Sequence, residues 1–273
     1  GNTDDGDGCS KQCRIEVPVP GPMACLGPAG FGVPETTDIA TLAETMAVAD
    51  VNGDGIKDTL IGYGADRIDN LRVHLNAANG DVAASSNYTV QGGVLHLGVA
   101  DVDGDGHLDV SAVTQTPNTV SLRLGDGAGQ FGVVRRFDFG NQGVIQAQYG
   151  HINGDGHMDL VVTLSGGAGF SYHQGFGDGT FSQGIVIQAL AGLGSVALGD
   201  VNGDGNLDVV GASATHGKLS VTTGNGNGLG ATEELLFGNR FNEVRLVDMD
   251  GDGDLDILAV GRDDQSHFVA FND

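Results

Sequence analysis

Short runs in which apolar and polar residues alternate recur along much of the chain. Leu71–Leu75 reads Leu-Arg-Val-His-Leu, and Val120–Leu124 reads Val-Ser-Leu-Arg-Leu. A period of two residues places the apolar side chains on one face of a β-strand. Mostly apolar runs such as Met46–Ala49 and Val110–Val113 have the length of buried strands. The pattern predicts an all-β fold, and 48 glycines among 273 residues oppose helices.

The predicted strands follow one order that repeats about every 50 residues. In each repeat one strand enters an acidic loop, a second leaves it, a third alternates, and a more polar fourth leads to the next repeat. We expect entering strands at 46–49, 97–100, 145–149, 196–198 and 244–247, and leaving strands at 59–62, 110–113, 160–163, 209–212 and 257–260. Four short strands per repeat are typical of β-propeller blades.

Five repeats predict a propeller of five four-stranded blades spanning residues 14–273. The last repeat stops at Asp273, after its third strand. Residues 26–33 align with residues 124–133, where another repeat ends. We therefore expect the N-terminal segment to complete the final blade and close the ring. The strand-like residues 14–18 and 23–26 leave six blades, one of them irregular, as the alternative.

Each repeat carries one nine-residue acidic loop between its first two strands. Loops 1 to 5 occupy residues 50–58, 101–109, 151–159, 200–208 and 248–256. Their central aspartates, Asp54, Asp105, Asp155, Asp204 and Asp252, stand 51, 50, 49 and 48 residues apart. Positions 1, 3, 5 and 9 hold Asp or Asn, except that loop 3 begins with His151, and position 6 is always Gly. Oxygen ligands spaced around a glycine turn suit a hard divalent cation.

The crowding of carboxylates exceeds what a tight turn requires. Asn-Gly and Asp-Gly pairs alone make hairpin turns, yet loop 2 gathers four aspartates within nine residues. Two unit charges about 4 Å apart repel by about 4 kcal/mol at an effective dielectric of about 20. A bound cation would remove this repulsion, and an oxygen cage with few waters suits calcium better than magnesium.

We therefore expect up to five Ca²⁺ ions, one per loop, with position 7 contributing its carbonyl. The predicted ligands are Asp50, Asn52, Asp54, Ile56 and Asp58 in loop 1; Asp101, Asp103, Asp105, His107 and Asp109 in loop 2; Asn153, Asp155, His157 and Asp159 in loop 3; Asp200, Asn202, Asp204, Asn206 and Asp208 in loop 4; and Asp248, Asp250, Asp252, Asp254 and Asp256 in loop 5. Because imidazole is a poor ligand for calcium, we expect loop 3 to be the weakest site or empty. A softer metal at His151 and His157 is the alternative.

Net charge excludes some classes of binding partner, and the expected calcium affinity indicates the compartment. The formal charge is −24 with only 12 Lys and Arg residues, which argues against nucleic acids and anionic membrane surfaces. No apolar run reaches the roughly 18 residues of a transmembrane helix. Calcium loops of modest affinity fill where calcium is millimolar, so we expect a secreted or cell-surface protein.

The first 13 residues resemble the end of a cysteine-rich repeat found in large secreted bacterial proteins. They read Gly-Asn-Thr-Asp-Asp-Gly-Asp-Gly-Cys-Ser-Lys-Gln-Cys. The resemblance implies that residues 1–13 are a remnant or linker and that the chain is part of a longer bacterial extracellular protein. With three cysteines, Cys9, Cys13 and Cys25, at least one has no partner within the chain, and a short disulfide or free thiols both stay open.

Residues 20–273 resemble the FG-GAP/VCBS class of β-propeller repeat, which is related to the heads of integrin α-subunits. The acidic loop between the first two strands carries the resemblance, together with the turn Gly177-Asp178-Gly179-Thr180-Phe181. The resemblance implies a propeller with calcium in the hairpin at each blade edge. His151 and the absence of a Phe-Gly pair from several repeats depart from the family pattern.

Three classes of function are compatible with these features. A calcium-stabilised module that binds or adheres to extracellular protein or glycan is favoured, because the sequence offers metal loops and no catalytic constellation. A lectin is the second class, although sugar rings usually stack on Trp or Tyr. The chain has no Trp and only four Tyr residues: Tyr63, Tyr88, Tyr149 and Tyr172. A polysaccharide lyase or hydrolase would need a base from among His74, His96, His173, His216 and His267. We do not expect an enzyme, since neither Gly-x-Ser-x-Gly nor His-Glu-x-x-His occurs.

Overall fold

The computed structural model describes residues 43–65, 69–167, 169–238, 240–261 and 267–272. These residues form nineteen β-strands and no helix, so none of them offers a helix that could cross a membrane. The strands are β1 (Ala43–Ala49), β2 (Asp58–Tyr63), β3 (Leu71–Asn76), β4 (Val82–Tyr88), β5 (Gly93–Ala100), β6 (Asp109–Gln115), β7 (Thr119–Arg123), β8 (Arg135–Asp138), β9 (Gly143–Gly150), β10 (Asp159–Ser165), β11 (Gly169–His173), β12 (Ile185–Gln188), β13 (Leu193–Gly199), β14 (Asp208–Ser213), β15 (Lys218–Gly224), β16 (Leu229–Leu236), β17 (Phe241–Val247), β18 (Asp256–Gly261) and β19 (His267–Ala270).

The strands form five antiparallel sheets in which sequence order is also spatial order. Blades 1 to 4 are the sheets β1–β4, β5–β8, β9–β12 and β13–β16, and blade 5 contains β17–β19 among the described residues. The first strands of successive blades, from β1 to β17, contact one another. This is the arrangement of a β-propeller of about five blades, as predicted. The predicted closure by the N-terminal segment lies outside the described residues.

The predicted strands that flank each loop are confirmed with slightly longer bounds. The predicted entering strand 145–149, for example, lies inside β9. Each leaving strand begins one residue earlier than predicted, at the aspartate of position 9. That aspartate already pairs with the last residues of the entering strand, as Asp58 does with Ala49 and Asp109 with Ala100. Position 9 therefore belongs to the sheet as well as to the loop.

The hydrophobic core lies between neighbouring blades. One cluster packs blade 2 against blade 3 and includes Val113, Val144 and Leu164, each at most 1 % exposed. Equivalent clusters fill the spaces between blades 1 and 2, 3 and 4, and 4 and 5. The second strands β6, β10 and β14 are consequently buried on both faces. Burying each aliphatic side chain contributes about 1.5–3 kcal/mol, so the stacking of blades supplies most of the favourable free energy.

Two polar contacts also join neighbouring blades along the first strands. The β9–β10 and β13–β14 pairs each contain a bulge or irregularity in register, beside Gln146 and Ser195. Gln146 Oε1 accepts a hydrogen bond of 2.9 Å from Val196 N of blade 4. Ser195 Oγ accepts one of 3.4 Å from Val244 N of blade 5. A bulge re-aims a side chain, and here it aims one at the backbone of the next blade.

Aromatic residues at the outer turns complete the contacts between blades. In blade 2, Phe131 forms an isolated bridge with Gly125 just after β7. Its ring packs edge-on against Tyr88 of blade 1, with the ring centroids 5.6 Å apart. Tyr88 Oη also accepts a hydrogen bond of 3.1 Å from Phe131 N. In blade 3, Phe181 of the predicted Gly-Asp-Gly-x-Phe turn packs against Phe137 of blade 2 in the same way, at 5.2 Å.

Candidate metal-binding loops

The five acidic loops occupy the predicted place between the first and second strands of each blade. Loops 2 and 3 are neighbours: Asp101 and Gly104 of loop 2 line a cavity of about 260 Å³ together with His151 and His157 of loop 3. Loops 2 and 3 therefore face one another across this cavity.

The carboxylate at position 1 holds the backbone of its own loop. Asp50 Oδ1 accepts from Gly53 N at 2.8 Å, and its Oδ2 accepts from Gly55 N at 2.8 Å. Loops 2, 4 and 5 make the bond to the position-6 amide in the same way. The position-6 glycine has a positive φ, 90° at Gly106, which a side chain would disfavour. The loop backbone therefore wraps around the position-1 side chain.

The carboxylate at position 5 fixes the residue at position 7. Its Oδ1 accepts a hydrogen bond from the position-7 amide in every loop, at 2.8 Å between Asp105 and His107 and at 3.0 Å between Asp252 and Asp254. The other position-5 carboxylates make the same contact. These bonds hold each loop in one local conformation around its acidic side chains.

The aspartate at position 9 is a buried staple. Asp109 is 1 % exposed and the other four are 0 % exposed. Asp109 Oδ2 accepts from Val102 N of its own loop at 2.7 Å, while Oδ1 accepts from Gly125 N, after β7, at 2.8 Å. All five blades repeat both bonds. Sequence reasoning predicted position 9 only as a metal ligand and missed its second role in tying the loop to the end of the third strand.

Two loops bring three carboxylates close enough to share one ion. One oxygen from each of Asp101, Asp103 and Asp109 lies within 4.8 Å of the others, and the same holds for Asp248, Asp250 and Asp252. These are the two loops that have Asp at all of positions 1, 3, 5 and 9. Clustered carboxylate oxygens are the donors that hard dications prefer, so the residues of loops 2 and 5 fit such an ion.

The pKa shifts of the loop aspartates differ between loops 2 and 5 on one side and loops 1 and 4 on the other. The pKa of Asp103 is raised, first by partial desolvation and then by the negative charge of Asp105. The pKa of Asp250 is likewise raised, by desolvation and the charges of neighbouring aspartates. In loops 1 and 4 the pKa values of Asp50 and Asp204 are lowered, chiefly by backbone N–H donors. A cation would therefore relieve most repulsion in loops 2 and 5.

Loop 3 differs in its bonding as well as in its sequence. His151 Nδ1 lies 3.0 Å from the carbonyl oxygen of His157, the position-7 group predicted as a ligand. Gln174 Nε2 donates to Asp155 Oδ2 at 3.0 Å. Within the described part of the chain, the groups of three or more clustered metal-ligating side chains are the two acidic ones and contain no histidine. The alternative of a softer metal at His151 and His157 therefore receives no support.

The histidines considered as catalytic bases are distributed over all five blades. His74, His96, His173, His216 and His267 lie one in each blade. His173 Nδ1 bonds to Ser182 O and its Nε2 to Ser171 Oγ, at 3.1 and 3.0 Å. Burial lowers the pKa of His96 to about 4, which leaves it neutral near pH 7. His173 is thus held by groups of its own blade, whereas His96 Nδ1 is buried without a hydrogen-bond partner among the described residues.

A further concave feature lies between the outer parts of blades 2 and 3. The cleft has a volume of about 470 Å³ and is lined by β8, β11, β12 and the segments beside them. Arg136, Gln142 and Gln183 contribute polar groups, and Phe139 packs edge-on against His173 with centroids 5.5 Å apart. This cleft was not predicted from the sequence, because its walls come from two different blades.

Solved structures with a similar fold are propellers of low sequence identity. A lectin from Agrocybe aegerita that recognises non-reducing terminal N-acetylglucosamine aligns with a TM-score of 0.61 and 20 % identity, over 84 % of this chain and 63 % of the lectin. BBS1N in complex with ARL6DN aligns with a TM-score of 0.55 and 13 % identity, over 85 % and 65 %. The Dos1 propeller aligns with a TM-score of 0.50 and 9 % identity, over 78 % and 52 %. The chain thus spans less than two thirds of each of these structures.

Sequence comparison identifies the repeat itself. No curated protein sequence matches the chain significantly. The FG-GAP-like repeat model matches four overlapping segments, residues 50–112, 101–162, 151–211 and 200–259. Each match starts at position 1 of one loop and ends in the strand that follows the next loop. The matches together cover most of the chain, which therefore belongs to the FG-GAP-like repeat family.

Proposed function

We propose that the protein is a calcium-stabilised binding module that works outside the cell. The observation that carries the proposal is the convergence of Asp101, Asp103 and Asp109 oxygens within 4.8 Å in loop 2, repeated by three aspartates of loop 5. Three carboxylates so close repel one another unless a cation neutralises them. Calcium accepts six to eight oxygen ligands in flexible geometry, which suits a loop of carboxylates and a backbone carbonyl.

The ions of this proposal are structural. In loop 2 the holding residues are Asp101, Asp103, Asp105 and Asp109, with the carbonyl of His107. A bound ion supplies positive charge, and the residues supply its connection to the fold, since Asp109 also holds Val102 N and Gly125 N. Loops 1 and 4 make the same backbone bonds around Asp50 and Asp200 and are further sites. Sites of modest affinity fill in millimolar extracellular calcium, which favours a secreted or cell-surface protein.

Binding of a protein or glycan is the activity that suits this scaffold. The five candidate histidines lie in separate blades, and His74 and His173 are held by hydrogen bonds within their own blades. A propeller presents surfaces between and above its blades to which a protein or glycan can bind. Structures of similar fold include a lectin and a protein complex, each at low identity.

Calcium uptake and two alanine variants test this function. Equilibrium dialysis should show bound Ca²⁺, and Asp105→Ala should reduce both uptake and the free energy of unfolding, by about 2.7 kcal/mol if calcium is at one hundred times Kd. Asp155→Ala should lower stability less, by about 0.5–1.5 kcal/mol, because it removes hydrogen bonds in a loop that lacks the full ligand set. Chemical denaturation in calcium measures both. No uptake, or the reverse order of the two variants, would contradict the proposal.

Glycan binding is the second candidate, and the cleft between blades 2 and 3 favours it. Its volume of about 470 Å³ lies within the usual range of roughly 300–1,000 Å³ for ligand pockets. Arg136, Gln142 and Gln183 offer hydrogen bonds to hydroxyl or carboxylate groups, and Phe139 offers an apolar wall. A terminal sugar residue has both kinds of surface.

A glycan array with matched variants tests the cleft. We expect the wild-type protein to retain one class of terminal sugar, and Gln142→Ala with Arg136→Ala to weaken that binding at least tenfold, about 1.4 kcal/mol. Both residues are exposed, so the double variant should keep the wild-type melting temperature. Gln188→Ala, an exposed change on β12 that does not line the cleft, is the control. Glycan binding unaffected by the double variant would place the site elsewhere.

A further inference from the structure

In loop 3 the position-7 carbonyl, which we expect to bind the cation in the other loops, already accepts a hydrogen bond. His151 Nδ1 lies 3.0 Å from the carbonyl oxygen of His157. A carbonyl only accepts hydrogen bonds, so Nδ1 carries the proton and donates it. An imidazole N–H thus points at the position-7 oxygen.

The remaining acidic groups of loop 3 are also supplied with donors from the same blade. Asp155 Oδ2 accepts from Gln174 Nε2 at 3.0 Å and from Asn153 Nδ2 at 2.9 Å. Asp159 Oδ2 accepts from Tyr172 Oη at 3.2 Å, in addition to backbone amides. Tyr172 lies on the third strand and Gln174 directly follows it. At the equivalent positions blade 2 has Leu122 and Leu124, which cannot donate such hydrogen bonds.

Charge points in the same direction. Loop 3 has two carboxylates at positions 1, 3, 5 and 9, where loops 2 and 5 have four. Asp155 already accepts hydrogen bonds from two neutral donors, the His157 amide at 2.8 Å and Gln174 Nε2 at 3.0 Å. Little repulsion remains for a cation to relieve.

We infer that loop 3 is closed by its own side chains and takes no calcium at all. This inference rests on the proposed calcium sites in the other loops. In blade 3 the His151 N–H meets the position-7 carbonyl, and Gln174 and Tyr172 meet the two carboxylates. The hairpin of the first two strands in blade 3 should therefore stay folded when calcium is withdrawn. The corresponding hairpins of blades 2 and 4 should lose stability, because their loops bind the ion.

A gain of one calcium site tests the inference. Ca²⁺ bound per chain is counted by metal analysis after equilibrium dialysis at saturating calcium. The wild-type protein should bind at most four ions, and His151→Asp, which restores the family residue at position 1, should bind one more. His151→Asp combined with Asp155→Ala should return to the wild-type count, because it removes the position-5 ligand from the new site.

The outcomes separate this inference from the proposed function. Five ions in the wild-type protein would overturn the inference whatever the variants do. A folded His151→Asp variant with an unchanged count, or the same result for His151→Asn if the first variant does not fold, would also overturn it. No ion in the wild-type protein or in any variant would instead refute the proposed calcium sites, from which the inference starts.

Discussion

Removal of calcium with EDTA is expected to lower the melting temperature by more than about 10 °C. A ligand that binds only the folded state stabilises it by about 2.7 kcal/mol at one hundred times Kd. Four such ions are comparable with the whole stability of an ordinary domain, about 5–15 kcal/mol. Each kcal/mol moves the melting temperature of a chain of this size by about 2–4 °C. Thermal denaturation followed by circular dichroism, in calcium and in EDTA, measures the change.

Two controls make this result specific. Readdition of Ca²⁺ should restore the transition, whereas Mg²⁺ at the same concentration should restore less, since it gives up its waters reluctantly. Sodium chloride of matched ionic strength controls for general screening of the −24 charge. A melting temperature equal in calcium and EDTA, with no metal bound, would remove the structural role of the loops.

Asp109→Ala is expected to lower the free energy of unfolding by about 3–5 kcal/mol, the largest effect of any single loop substitution in blade 2. The carboxylate is 1 % exposed and accepts hydrogen bonds from Val102 N and Gly125 N. Its removal leaves two backbone donors without their acceptor, at about 1–3 kcal/mol each. The same change also removes a calcium ligand. Urea denaturation of the variant beside the wild-type protein measures the sum.

The two roles of Asp109 separate when the measurement is repeated in EDTA, at a temperature where the wild-type protein is still folded. The effect of Asp105→Ala should fall there to about 0.5–1.5 kcal/mol, because only the hydrogen bond from His107 N to this exposed carboxylate remains. The effect of Asp109→Ala should persist at about 2 kcal/mol or more, since both backbone bonds are independent of metal. Asp109→Asn retains one oxygen and should be milder. Equal loss of both effects in EDTA would exclude the staple role.

Much of the fold could be predicted from the sequence because its signals are local and repeated. Alternation in Leu71–Leu75 marked β3, and the loops marked the ends of the first and second strands within a few residues. The clustering of Asp101, Asp103 and Asp109 likewise follows from spacing within one loop. A single copy of such a pattern would be ambiguous; five copies at one period are not.

The features that the sequence did not predict depend on residues distant in the chain. The partner of Asp109 at Gly125 lies sixteen residues away, across a strand. Gln174 and Tyr172 reach loop 3 from β11 and the residue after it, and no loop motif includes them. The cleft needs β8 of one blade and β12 of the next. Closure of the ring by the N-terminal segment stays a prediction.

The position-9 aspartate has a consequence for how the blades come apart. In blade 2, Asp109 holds Gly125, Gly125 is bridged to Phe131, and Phe131 is bonded to Tyr88 of blade 1. Asp109 is therefore three contacts away from the adjoining blade, and an ion held by Asp109 would be four contacts away. Fraying of this loop would loosen the outer turn that faces blade 1, so metal release and separation of the two blades become linked events. If loop 2 binds an ion as proposed, its occupancy is coupled to the contact between blades 1 and 2.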